Sequence, residues 1–339
     1  VLAGQTNLMD FDEEGLRSFF ESMGERPFRA QQLLKWIYHQ QVTDFAEMTN
    51  LGLELRQKLQ QMAKIEPPRI LNEQLSSDGT TKWLMGFGGG NAVETVFIPE
   101  PGRSTLCISS QAGCAMDCSF CATGQQGFNR NLTAAEILGQ LAFAGSAIAS
   151  REITNIVFMG MGEPLMNYNN VLKAIDKITS KEGLGMSPKR ITVSTSGVPK
   201  MIKKMADDEV KFNLAVSLHS AIDNVRTSIM PFNENFPLID LREALEYWYH
   251  KTKTRITYEY VVWEGVNDKQ EDIEALIRFC RFAPAKVNLI QYNPIDEGEF
   301  RQAADNVVKQ YQDALEKAGI TVTIRRSRGQ DIDAACGQL

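Results

Sequence analysis

The stretch TLCISSQAGCAMDCSFCATG, residues 105–124, decides how this chain is organised. Its opening, 105–110, has the β-branched and apolar residues of a buried strand. The loop that follows places Cys114, Cys118 and Cys121 within eight residues. A strand that hands reactive side chains to the loop at its C-terminal end is the habit of parallel α/β sheets. Downstream the arrangement repeats. β-rich runs at 153–159, 190–195, 212–218, 256–263 and 287–292 alternate with helical patterns, and 320–325 adds a further strand. Regular alternation implies a parallel sheet with right-handed crossovers. Six such units predict an α/β fold, a partial (β/α)6 barrel left open on one side for a large substrate.

If this is correct, polar and glycine-rich motifs should collect at the strand ends, and they do. The second strand runs into Gly160-Met-Gly162-Glu163-Pro164, and later ones end in Ser194-Thr-Ser196-Gly197, Ser217-Leu218-His219 and Asn293-Pro294. Three closely spaced thiolates can ligate three irons of a four-iron, four-sulfur cubane and leave the fourth iron open to a chelating amino acid. The alternative is zinc, with His219 or a distant cysteine as fourth ligand. Zinc sites of this type usually bring two close pairs of ligands, and no second pair is present.

Composition sets the bounds. The 339 residues are 43% hydrophobic and 23% charged, the balance of a folded chain with a sizeable core. No apolar run approaches the roughly 20 residues that cross a bilayer, and residues 1–10 lack the pattern of a signal peptide. A cytoplasmic protein without a membrane partner is expected. Val1 in place of an initiator methionine leads us to expect a gene product that starts further upstream. The net charge of −6 offers no electrostatic argument for nucleic acid. The basic runs Lys189, Arg190, Lys200, Lys203, Lys204 and Arg325, Arg326, Arg328 read most simply as solvated faces. Three of six cysteines gathered in one loop of a reducing compartment favour metal binding or catalysis over disulfides.

Upstream of Pro67-Pro68 the pattern is helical. Asp12 is placed to cap a helix with Leu16, Phe19, Phe20 and Met23 on one face and Gly24 as its stop. A second helix starts at Phe28 and carries Leu33, Leu34, Trp36, Ile37 and Tyr38, and a third lies around Leu53, Leu55 and Leu59. Short strands follow at 69–75, 82–87 and 92–98, joined by an Asp78-Gly79 turn and a Gly88-Gly89-Gly90 loop. The expected division is an N-terminal helical accessory domain (1–68), a short β-hairpin extension (69–103) and the barrel with a C-terminal catalytic segment (104–339).

The spacing C-x3-C-x2-C, with Phe120 before its last cysteine, resembles the signature of the radical S-adenosylmethionine (SAM) superfamily. Within it, Cys107-Ile-Ser-Ser-Gln111, the run Gln126-Gly-Phe-Asn-Arg-Asn-Leu132 and the ending Asp331-Ile-Asp-Ala-Ala-Cys336-Gly-Gln-Leu339 are similar to the RNA adenine methyltransferases. The resemblance implies a 4Fe-4S cluster on Cys114, Cys118 and Cys121. It also implies SAM, two molecules per turnover, held by Gly162, Glu163, Ser194, Ser217, Leu218, His219 and Asn293. Cys336 would accept a methyl group, Cys107 would resolve the RNA adduct through a transient Cys107–Cys336 disulfide, and Glu94 would handle a proton beside the base. The implied partners are 23S ribosomal RNA, transfer RNA and an external electron donor such as flavodoxin. One branch of the family methylates carbon 2 of adenine in both RNAs; the other, linked to antibiotic resistance, methylates carbon 8 of the same ribosomal adenine. Pro164 and Ser196 resemble the carbon-2 branch.

Residue chemistry alone leaves other readings open. Cys107 fits a small core residue, Cys336 a buried apolar thiol and His219 a satisfied hydrogen-bonding group. Cys280, on a helical pattern over 273–282, reads as core. The chain also fits a radical enzyme that uses SAM only as a radical source, or a non-enzymatic metal-stabilised RNA-binding module.

Overall fold

The computed structural model describes residues 5–11, 13–38, 40, 42–87, 90–148, 152–181, 183–296 and 298–339. Three amphipathic helices, Glu13–Ser22, Arg29–Tyr38 and Leu53–Met62, occupy the N-terminal region. They bury the faces expected from their spacing: Leu16 and Phe20, then Leu33, Leu34 and Ile37, then Leu55 and Leu59. Leu53 stays exposed at the start of its helix. Gly24 terminates the first helix at φ +79, donating to the carbonyl of Glu21 at 2.9 Å. The expected cap Asp12, and Gly88 and Gly89, lie outside the described residues; Glu13 and Glu14 supply the acidic first turn that suits the helix dipole. These helices share one apolar core with the barrel, and Lys177 of the barrel pairs with Glu13 at 3.1 Å.

A ten-stranded sheet forms the centre. In chain order its strands are β1 (Arg69–Leu75), β2 (Thr81–Gly86), β3 (Ala92–Glu100), β4 (Arg103–Cys107), β5 (Asn155–Phe158), β6 (Ile191–Thr195), β7 (Asn213–Ser217), β8 (Ile256–Val261), β9 (Ala285–Ile290) and β10 (Thr321–Arg325). Strands β1 to β4 pair antiparallel in sequence. From β4 to β10 every neighbour is parallel, with helices in the crossovers. The antiparallel extension is therefore continuous with the barrel sheet: Val96 of β3 faces Cys107 of β4. Seven parallel strands match six β/α units and one further strand. Among the described residues β1 and β10 do not pair with each other, so the barrel stays open.

The C-terminal tail crosses between these two edges. After β10 it runs to the β1–β2 turn, where Asp78 accepts from the Gly329 amide at 3.0 Å, and Arg328 donates to the carbonyls of Asp78 and Pro99 at 3.0 and 3.1 Å. Asp331 accepts from the Ser76 hydroxyl and the Ser77 amide. The tail then turns back towards the strand ends, carrying Cys336 with it. Arg328 is thus a strap residue and not part of a solvated face; the run Lys189 to Lys204 is largely exposed, as expected.

Candidate active site

The cysteine loop is held by a feature that the sequence did not announce, a short hairpin of Gln111–Gly113 with Phe128–Asn131. Gly113 has φ +75, and a Cβ there would lie 1.9 Å from the Gly127 carbonyl oxygen, the same oxygen that accepts from the Cys114 amide at 3.0 Å. Gly124 packs against the Cys118 backbone, where a Cβ would meet N and O at 2.9 Å. Cys114 and Cys118 are buried and Cys121 half-buried. Burial pushes Cys114 up to about 12, and it pushes Cys118 well above its ordinary range, with the other two thiols adding to the effect. Such a group ionises only against a bound cationic partner. Among the described residues no three His, Cys, Asp or Glu side chains gather round a single metal-ion position. The donor set thus suits a cluster whose thiolates bind separate irons better than it suits one zinc ion.

Gly160-Met-Gly-Glu-Pro packs directly behind this loop. A Cβ on Gly160 would meet the Ser109 hydroxyl at 2.7 Å, and one on Gly162, which has φ +99, would meet the Gln111 side chain at 2.5 Å. The close approach lets Gln111 accept from the Glu163 amide at 2.8 Å. Glu163 is buried; its two oxygens accept from the Leu165 amide at 3.0 Å and the Ser196 amide at 2.7 Å. Burial raises its carboxyl, and these hydrogen bonds oppose the shift. One carboxylate thereby ties the loop after β5 to the loop after β6.

His219 follows β7 in a left-handed conformation, φ +55. Its Nδ1 accepts from the Val261 amide at 3.1 Å, and its ring packs edge-on against Phe120 and Trp263. Burial pulls the imidazole down to about 3, so it is neutral near pH 7. A further polar group, unforeseen in the sequence, sits inside β8 and β10. Glu259 accepts from Arg325 at 3.2 Å and from Asn288 at 2.8 Å. A carboxylate at an inward position of the apolar run Ile-Thr-Tyr-Glu259-Tyr-Val was the available signal. Arg325 also departs from the solvated-face reading.

These elements line a cavity that is open to solvent on one side. Cys114, Cys118, Cys121, Gly162, Glu163, Ser194, Ser217, His219, Asn293 and Cys336 all line it, together with Glu259 and Arg325. Cys336 is exposed and lines the cavity, so its free surface opens onto the same space as the three loop thiols. The tail that carries Cys336 is tied down. Gly337 accepts from the Ala122 amide at 2.8 Å, Thr123 donates to the Leu339 carbonyl, and Asn293 donates to the Cys336 carbonyl at 3.1 Å. Asn293 also accepts from Gln330 at 3.0 Å, which makes it a clamp on the tail.

Three expected site residues lie off this wall. Leu218 is fully buried, and its backbone carbonyl accepts from Arg226 at 3.1 Å. Cys107 is buried at the end of β4; burial pushes its thiol up to about 12, and the negative charge of Cys336 adds to the effect. Glu94 pairs with Lys82 at 3.0 Å, and Lys82 also donates to the Asp333 carbonyl, three residues before Cys336. Cys280 is buried on the helix Gln270–Cys280, as a core residue should be.

Known sequences resemble the chain over nearly its whole length. The profile described as "Ribosomal RNA large subunit methyltransferase N-terminal domain" matches residues 6–65, and that described as "Radical SAM superfamily" matches residues 108–280. A protein of Christiangramia forsetii named "Probable dual-specificity RNA methyltransferase RlmN" is 58% identical over 330 residues, 96% of this chain and 94% of its own. One of the same name from Flavobacterium psychrophilum is 56% identical, covering 96% of this chain and 95% of its own. The crystal structure of a radical SAM methyltransferase from Sphaerobacter thermophilus superposes with a TM-score of 0.92 at 38% identity and covers 98% of both chains. Among the described residues no helix is long and apolar enough to cross a membrane.

Proposed function

Since the chain belongs to the radical SAM RNA methyltransferases, we propose that it is a cytoplasmic enzyme that methylates carbon 2 of an adenine in 23S ribosomal RNA, at the peptidyl transferase centre, and in transfer RNA. The observation that carries this reading is the shared cavity: the three loop thiols, the strand-end polar groups and the accessible Cys336 face one space, while Cys107 is buried at the end of β4.

Cys114, Cys118 and Cys121 would hold the 4Fe-4S cluster, and Gly162, Glu163, Ser194, Ser217, Leu218, His219 and Asn293 would hold SAM. When bound and reduced by an external donor such as flavodoxin, the pair supplies a 5'-deoxyadenosyl radical, and a separate SAM supplies the methyl group, so two are used per turnover. The protein's own residues do the rest. Carbon 2 of adenine is electron-poor and does not attack a methyl sulfonium, whereas a thiolate does. Cys336 therefore takes the methyl first, by displacement. After hydrogen abstraction its S-methylene radical adds to carbon 2 and links protein to RNA, leaving on the ring an unpaired electron that passes back to the oxidised cluster as carbon 2 loses its proton. Glu94 takes the carbon-2 proton. Cys107, once it has given up its proton, attacks the Cys336 sulfur, forming the disulfide while the electrons of the breaking carbon–sulfur bond stay with the methylene carbon, which takes a proton to become the new methyl group. The buried, neutral His219 and the apolar Phe120 and Trp263 keep water from the radical stage. The adenine must leave its stack to reach this depth. Pro164 and Ser196, at the cavity loops, favour carbon 2 over carbon 8.

Anaerobic incubation of the reconstituted protein with methyl-labelled SAM and unmodified RNA tests the reading. Peptide mass spectrometry should find labelled S-methyl on Cys336. Label transfer to RNA in a Cys336→Ala variant would refute the route.

A further inference from the structure

Arg226 is a cation in an unusual place. It lies on the short helix Asp223–Ile229 and is fully buried, yet among the described residues it forms no ion pair with any carboxylate. Its guanidinium donates to the Ser196 carbonyl at 2.6 Å, to the Ser217 and Leu218 carbonyls at 3.1 Å each, and to the side-chain oxygen of Asn233 at 2.6 Å. The exposed Asp223, on the same short helix, accepts from the Asn233 amide at 3.1 Å and makes no direct bond to the guanidinium. A buried charge without a counter-ion is costly, and neutral carbonyl dipoles offset only part of that cost.

The same helix is docked on the cysteine loop. Both the amide and the hydroxyl of Ser119 donate to the Ile229 carbonyl at 3.1 Å, one residue beyond Cys118. Ile229, Met230 and Phe232 pack in one apolar cluster with Cys114 and Cys118, and the guanidinium sits 5.3 Å from the Phe232 ring centre. Arg226 is thus buried behind apolar side chains that also pack on the loop thiols, where charge is screened less than in water. Burial lowers Arg226 to about 10, which leaves it charged near neutral pH, and the charges of Cys118 and Asp223 oppose that shift.

We propose that Arg226 is the built-in counter-charge of the cluster held by the cysteine loop, and that it raises the cluster's reduction potential as well as bracing the ends of β6 and β7. This rests on the cluster assignment made above. Reduction adds one negative charge to a thiolate-ligated cluster. A fixed buried cation favours the reduced form, because cluster potentials follow local charge, hydrogen bonding and solvent exposure. An arginine is suited to the position because it cannot lose its proton there and its fork meets several carbonyls together.

The test is a potentiometric titration of the anaerobically reconstituted full-length protein, with the reduced cluster read by electron paramagnetic resonance and no SAM or RNA present. Arg226→Gln should lower the ratio of reduced to oxidised cluster at fixed potential at least tenfold, a shift of about 59 mV for one electron. Arg226→Lys should stay within about threefold of the parent. Because Arg226→Gln also removes the fork that braces the strand ends, the exchange Asp223→Asn with Asn233→Asp provides a second arm that does not depend on that variant loading. It moves an existing negative charge onto the guanidinium without changing the net charge, and it should shift the ratio in the same direction as Arg226→Gln. A purely bracing role would leave the potential of that exchange variant unchanged. An unshifted potential in a loaded Arg226→Gln or in the loaded exchange variant overturns the proposal. Absence of iron and sulfide from the unsubstituted protein would instead overturn the cluster assignment beneath it.

Discussion

Gly113→Ala gives the sharpest test of how the cysteine loop is built. The new Cβ would stand 1.9 Å from the Gly127 carbonyl oxygen, and real contacts require at least 3.0 Å, so backbone must move by about an ångström. No rotamer relieves it, because both atoms belong to the main chain or are fixed to it. The residue would also hold φ +75, a left-handed conformation that costs an alanine about 1–2 kcal/mol. Displacing Gly127 breaks the Cys114 amide bond to its carbonyl, worth about 1 kcal/mol net. The sum, about 2–3 kcal/mol, is less than the usual stability of a folded domain. The barrel should therefore survive while Cys114 leaves its place. Gly127→Ala is the control without the clash: Gly127 adjoins the same hairpin and, with φ +73 and ψ 175, imposes backbone strain of its own, yet nothing lies within 4 Å of its Cβ. Iron and sulfide content after anaerobic reconstitution, with melting by circular dichroism, separates the two. Gly113→Ala should load at least tenfold less cluster at a melting temperature close to that of Gly127→Ala. Equal loading in both variants would refute the hairpin's role.

Other expectations follow from particular contacts. Cys336→Ala should give no protein–RNA adduct, whereas Cys107→Ala should stall with RNA covalently attached, as denaturing gel shifts would reveal; normal turnover of both would exclude the two-thiol route. His219 has a folded value near 3, below the ordinary 6.5, so its contribution to stability is complete above pH 6.5 and is lost as pH falls towards 3. Urea midpoints of the parent and of His219→Asn, which keeps an acceptor for the Val261 amide, should converge over that interval; a constant gap would show that the imidazole is not held neutral. Asp331→Ala removes the bonds to Ser76 and Ser77 and should cost about 1–3 kcal/mol locally. Hydrogen exchange over residues 329–339 should then accelerate about tenfold or more, and unchanged exchange would mean that the strap is held elsewhere.

Much of the architecture could be read from local pattern. Each parallel strand was visible as an apolar run of strand length, and each ended in a polar or glycine-rich motif, because a parallel sheet buries both faces and frees only its ends. Observed strands differ from the expected ones by about two residues, as at β4, which begins at Arg103 and ends at Cys107. The hairpin under the cysteine loop was not legible, since Gln111–Gly113 is only three residues long and its partner lies beyond the cysteines. The strap from Asp331 to Ser76 joins residues 255 apart in sequence, a distance at which no periodicity speaks. Arg226, Glu259 and Arg325 looked like ordinary charges; their burial is a tertiary fact. Continuity of the 69–103 strands with the barrel was hidden for the same reason, because pairing between β3 and β4 has no signature beyond a short turn.

Regiochemistry is set by orientation of the base and not by the cluster, because orientation decides which carbon meets the methylene. The direct measurement is mass spectrometry of nucleosides from ribosomal RNA carrying deuterium at carbon 2 of adenine, after anaerobic turnover. The account predicts 2-methyladenosine with the carbon-2 deuterium lost. Recovery of 8-methyladenosine with that deuterium retained would contradict it.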